Sequence, residues 1–122
     1  MKKELTKAEE QIMHALWRVK KGFAKDILEK LNDPKPAYST VLTVVRVLVQ
    51  KGFIKYKTYG KSNEYYPTIT KDAYSLQKVQ GLKKNYFNNS NVQFVSFFMK
   101  ENNMNLEDLN EIMDIIKKES NE

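Results

Sequence analysis

Apolar residues recur every three or four positions through most of this 122-residue chain, and the recurrence breaks at glycine, proline or asparagine clusters. Between Ala8 and Val19 the spacing puts Ala8, Ile12, Ala15, Leu16 and Val19 on an inner helix face, with Met13 and Trp17 on its flank. Thr6 and Glu9 have the capping-box spacing that opens such a helix, and Lys20-Lys21-Gly22 closes it. A second short helix begins at Ala24 with Ala24, Ile27, Leu28 and Leu31 inward. Asn32-Asp33-Pro34-Lys35-Pro36 stops it, because proline disfavours helix at its own position and at the one before. From Tyr38 to Lys51 a third helix is expected, apolar at Val41, Val44, Val45 and Leu48 and polar at Ser39, Thr40, Thr43, Arg46 and Gln50. Its β-branched residues favour a strand, but strict alternation fails, and Lys51-Gly52 gives a basic last turn with a glycine stop.

After Gly52 the period changes to two. Ile54, Tyr56 and Thr58 fall on one side of a strand and Lys55, Lys57 and Tyr59 on the other, so that one side packs while the other meets phosphate. Gly60-Lys61-Ser62-Asn63 is expected as the turn and Glu64 to Thr68 as the returning strand. Pro67 suits an edge or a strand end, having no donor for an interior ladder. Two short helices, a proline-marked turn, a third helix and a hairpin together predict a winged helix-turn-helix unit, mainly α with a small β-hairpin wing. The third helix is the candidate for the major groove.

Thr70 caps a linking helix expected over 71–87, which Gly81 weakens by roughly 1 kcal/mol relative to alanine. The apolar window Val92 to Met99 and a last helix capped by Asn105 follow. The expected division is a DNA-binding domain over 1–70 and a helical dimerisation region over 71–122. Two helices of this length cannot hide their own Phe, Met and Ile, so Val92, Val95, Phe98, Met99, Leu109, Ile112 and Ile116 are expected to face a second copy of the chain.

Charge sharpens this division. Residues 1–70 carry 14 Lys and Arg against 7 Asp and Glu, whereas 71–122 carry 7 against 8. A basic front half fits a polyanion-binding module. Ser39, Thr40, Thr43 and Arg46 can approach base edges, threonine methyls suiting thymine and arginine suiting guanine or phosphate. Lys51, Lys55, Lys57 and Lys61 suit phosphate. With no cysteine and one histidine, His14, expected at a surface or edge position, the chain has no thiol nucleophile, no metal set and no phosphate-cradling glycine loop, so no enzyme, metal or cofactor is expected. The absence of a long apolar run or apolar leader leads to an expectation of no membrane and a cytoplasmic location. Two other readings use the same residues: a winged helix that binds protein, and a nonspecific nucleic-acid binder. Lys55, Lys57 and Lys61 weigh against the first of these.

The chain resembles the penicillinase-repressor family of winged-helix regulators, the BlaI/MecI type. The resemblance lies in Leu5-Thr-Lys-Ala-Glu-Glu-Gln-Ile-Met-His-Ala-Leu-Trp17, in Ser39 to Ile54, and in Glu64-Tyr-Tyr-Pro67. It implies a dimeric repressor that binds an inverted-repeat DNA operator through the third helix and wing and dimerises through its C-terminal helices. Thr40 and Thr43 match the family's threonines on the DNA-facing helix, and Lys51 its basic helix end, while Ser39 and Arg46 stand where members vary. Copper-responsive relatives carry clustered C-terminal cysteines, which this chain lacks. Antibiotic-responsive relatives are cut at an Asn-Phe bond, where this chain has Phe97-Phe98, which argues against release by proteolysis. No residue pattern specifies an antirepressor or protease that would release it.

Overall fold

The computed structural model describes residues 4–120, in the order α1 (Lys7–Val19), α2 (Ala24–Glu29), α3 (Tyr38–Gln50), β1 (Ile54–Tyr59), β2 (Ser62–Pro67), α4 (Lys71–Tyr86), α5 (Asn91–Glu101) and α6 (Leu106–Ser120). The architecture is helical with one antiparallel hairpin, as the residue spacing predicts. It divides into two compact units, one running through Ser75 and the other starting at Leu76.

In the first unit α1, α2 and α3 enclose Ile12, Met13, Leu16, Ile27, Val41, Val45 and Leu48, closed from below by Phe53 and Ile54. The buried face of α1 is turned toward Glu9 and Met13 relative to expectation. Met13 is fully enclosed, while Ala8 is exposed. The physical reason is size: the long apolar Met13 side chain gains far more from burial than the Ala8 methyl, and Glu9, paired with Lys51, is buried too. The capping box forms as expected, Thr6 Oγ1 accepting from the Glu9 amide at 3.2 Å and Glu9 Oε1 from the Thr6 amide at 2.9 Å.

The end of α3 shows why Lys51-Gly52-Phe53 is a stop. Gly52 takes φ +86, a conformation that side chains resist. The Phe53 amide then bonds back to the Leu48 carbonyl at 2.9 Å and the Gly52 amide to Val49 at 3.0 Å, the paired bonds of a Schellman motif. Phe53 and Leu48 are both fully buried, so the cap is fastened by the apolar contact that usually accompanies it.

The hairpin pairs Ile54 with Pro67, Tyr56 with Tyr65, Lys57 with Glu64 and Tyr59 with Ser62, leaving a two-residue turn at Gly60-Lys61. Gly60 has φ +61, as the first central position of so tight a turn requires. The expected four-residue turn is therefore shorter. Ser62 and Asn63 enter the ladder, where Thr58 Oγ1 donates to Asn63 Oδ1 at 2.8 Å. Gly22 bonds to Tyr65 in both directions, at 2.9 and 2.8 Å, adding a bridge on the far side of β2. Beyond Ile54 every residue of β1 is exposed, so the hairpin projects from the core and the expected half-packed strand exists only at its root.

The first unit runs five residues past the expected boundary because Tyr74, in the first turns of α4, is part of its core. Its ring stands 6.0 Å from that of Phe53 and 5.7 Å from that of Trp17, and its hydroxyl donates to Glu10 Oε2 at 2.5 Å. Trp17 Nε1 donates to the Ile69 carbonyl at 2.9 Å, holding the chain as it leaves the wing. Burial first, and then the Glu10 carboxylate, push the Tyr74 phenol far above its ordinary range.

In the second unit Ser90 caps α5 and Asn105 caps α6 through side-chain bonds to the Gln93 and Asp108 amides. Phe87 packs against Phe94 and Phe97, with ring centroids 5.2 Å apart in each case. No described residue of this unit is buried. No helix of the described residues is long and apolar enough to cross a membrane.

Candidate nucleic-acid interface

The buried stripe of α3, Val41, Val45 and Leu48, fixes which residues point away from the core. At 100° per residue the opposite side is centred on Ser39, Thr43 and Gln50, with Arg46 beside them toward the wing and Thr40 toward α1. All five are exposed. Thr43 Oγ1 donates to the Ser39 carbonyl one turn back at 3.0 Å. Its only hydrogen is thus engaged within the helix, leaving the methyl and the oxygen lone pairs as its outward chemistry. Thr40 lines a second cleft of about 450 Å³ against α1, with Arg18 and Lys30 among its walls.

Lys55, Lys57 and Lys61 are exposed on the hairpin. With Arg46 they form no ion pair with any described residue. Lys57 sits 5.3 Å from the centre of the Tyr59 ring, two positions along the same strand face, and Glu64 is its cross-strand partner. Opposite charges directly across a ladder attract, so Glu64 offsets part of the Lys57 field. Lys61 holds the second position of the turn, at the wing's extremity.

Lys51 has a different environment. Its Nζ lies 2.6 Å from Glu9 Oε1 and also reaches the Glu4 carbonyl at 3.4 Å, the paired side chains being 20% and 8% exposed. Burial alone would raise the Glu9 carboxyl. The bonds from Lys51 and Thr6 outweigh it and hold the group below its ordinary value. Lys51 thus joins the end of α3 to the start of α1, and the structure does not bring it together with the wing lysines.

Between α3 and the wing lies another cleft, of about 540 Å³, whose walls include Lys25, Tyr38, Arg46, Tyr59 and Lys61. Lys25 is absent from the residues the sequence singles out. It is one of three charged residues of α2, with Asp26 and Glu29, and only the fold sets it beside Arg46 and Lys61. His14 is exposed, edge-on to Trp17 at 5.4 Å.

The family model described as Penicillinase repressor matches residues 5–118. The methicillin resistance regulatory protein MecI of Staphylococcus aureus strain N315 is 22% identical over 116 residues, 94% of each chain. The penicillinase repressor of Bacillus licheniformis is 22% identical over 119 residues, 97% of this chain and 93% of its own. Among solved structures, the DNA binding domain of the repressor BlaI superposes with a TM-score of 0.52 at 23% identity, covering 61% of this chain and 94% of that one, which establishes the winged-helix fold. A match over nearly the whole length, on a winged helix with a basic hairpin, makes this chain a member of the penicillinase-repressor family of transcriptional regulators.

Proposed function

We propose that this chain is a dimeric, sequence-specific repressor that sets α3 in the major groove of an inverted-repeat operator and lays its wing on the backbone. The observation that carries the DNA-facing part is the unpaired, exposed cationic set of Arg46, Lys55, Lys57 and Lys61 on one helix face and its adjoining hairpin. Cations that form no ion pair in the folded protein are available to displace the counterions of a duplex. Ser39, Thr40 and Thr43 offer the short polar and methyl groups that read base edges. A protein-binding winged helix does not need so many cations outside ion pairs.

The dimeric part is supported by the second unit. Val92, Val95, Phe98, Ile112 and Ile116 are exposed, Met99 and Leu109 are half-buried, and no described residue there is enclosed by its own chain. A surface this apolar needs covering, and a second copy covers it symmetrically, placing two winged units to meet two half-sites. Sedimentation of the full chain with fluorescence anisotropy on labelled duplex tests both parts. A dimer at micromolar concentration that binds duplex is expected. A monomer would refute the assembly, and absence of duplex binding at low salt would refute the function.

A further inference from the structure

Lys25, Arg46 and Lys61 come from three different elements, the start of α2, the outer face of α3 and the turn of the hairpin, yet all three line the cleft between α3 and the wing. No aspartate or glutamate lines it. All three cations are exposed, and none is in an ion pair with a described residue. Like charges converging without a counter-charge repel one another, and the arrangement becomes favourable once an anion sits among them. Neutral donors complete the lining. Tyr38 and Tyr59 are 50% and 48% exposed, so their hydroxyls are open to a ligand. The Tyr59 ring is propped edge-on by Phe23 at 6.4 Å, which fixes its place in the wall.

We propose that this cleft seats one phosphodiester of the duplex backbone, gripped at once by Lys25 from α2, Arg46 from α3 and Lys61 from the wing. This rests on the repressor reading and deepens it in two ways. Lys25 becomes a DNA ligand, and Arg46 becomes a phosphate ligand and not a base reader. Because the three cations share one phosphate, the wing and the helix cannot engage the backbone independently: the anion sets the spacing between them. A duplex binds only in the register that brings a phosphate to this cleft.

Sharing has a measurable signature. Each phosphate neutralised on B-form DNA contributes about 0.9 to the slope of log affinity against log salt. If Lys25, Arg46 and Lys61 share one phosphate, the K25Q/K61Q double variant, which keeps Arg46 on it, flattens the slope by no more than about 0.9, and each single variant by less. Two separate phosphates would flatten it by about 1.8 in the double variant. The test is a salt series by fluorescence anisotropy on the preferred duplex selected from a random pool and on a scrambled one. It uses the full chain as wild type, K25Q, K61Q, K25Q/K61Q and R46K, each checked for folding by circular dichroism. The expected result is a double-variant change of no more than about 0.9, the same fold-loss of affinity on both duplexes for every variant, and unaltered sequence preference in R46K. A double-variant change near 1.8, a K25Q affinity equal to wild type at low salt, or an R46K variant that loses discrimination between the duplexes would each overturn the shared seat alone. Wild-type chain that binds neither duplex would overturn the repressor reading and the seat with it.

Discussion

Replacing Lys51 by methionine separates two roles that a basic residue at the end of a recognition helix can have. As a phosphate ligand it would change DNA affinity and leave stability alone. Its position says the reverse, because Nζ lies 2.6 Å from a Glu9 carboxylate that is 8% exposed. An exposed ion pair contributes about 0–1 kcal/mol, while breaking a fully buried one costs about 3–5 kcal/mol. With Lys51 20% exposed, and with the Thr6 amide still bonded to Glu9 after the change, a value between these limits follows, about 2 kcal/mol. For a cooperative unit of this size that is about 10 °C in melting temperature. Thermal melts by circular dichroism at fixed protein concentration measure it, and K51M/E9Q should recover much of the loss, since no unpaired carboxylate then remains buried. Acid provides a second check. Glu9 is held below its unfolded value, so its stabilising contribution is present above about pH 4.5 and disappears as pH falls through the folded value. The gap between wild type and K51M should therefore close on acidification. A K51M protein that melts with wild type while its DNA affinity becomes markedly less salt-dependent would refute this assignment.

Three further outcomes are expected. Lys57→Ala should weaken binding to all duplexes by the same factor and flatten the salt dependence by about one unit of log-log slope, read by anisotropy; an effect confined to one sequence would contradict it. Because the Thr43 hydroxyl is turned to Ser39, Thr43→Val should keep any preference for thymine at the contacted pair, whereas Thr43→Ser should lose about 1 kcal/mol of it, measured by competition between duplexes that differ at that pair. Phe98, 54% exposed, should on replacement by serine cost the dimer about 1–1.5 kcal/mol per copy, twice by symmetry, which weakens self-association by roughly 30- to 150-fold in sedimentation equilibrium.

What was legible in the sequence was local. The Thr6–Glu9 capping box, the Lys51-Gly52 stop and the proline-marked turn each draw on residues within a few positions of one another, and α3 starts at Tyr38 as its spacing predicts. The misreadings come from partners distant along the chain. Ser62 and Asn63 have turn propensity, but pairing with Tyr59 and Thr58 takes them into the ladder. Gly22 looks like a simple helix break, yet its two bonds to Tyr65 tie the root of the wing to the helices. Met13 is in the core where the spacing predicts Ala8, and Glu9 is buried beside it, paired with Lys51 from 42 positions away. Of the candidate DNA contacts, the α3 face and wing lysines are recoverable from periodicity. The pairing of Lys51 with Glu9 and the approach of Lys25 to Arg46 and Lys61 depend on tertiary contacts that no spacing rule encodes.

On the proposed function, two copies of this chain read two related half-sites. Selection of bound duplexes from a random DNA pool by the full-length protein, followed by sequencing, tests it most directly. Enrichment of an inverted repeat whose half-site centres lie about one helical turn apart, roughly 10 base pairs, or a multiple of it, is expected. A pool that stays flat after repeated rounds, or one that converges on a single unrepeated site, would contradict it.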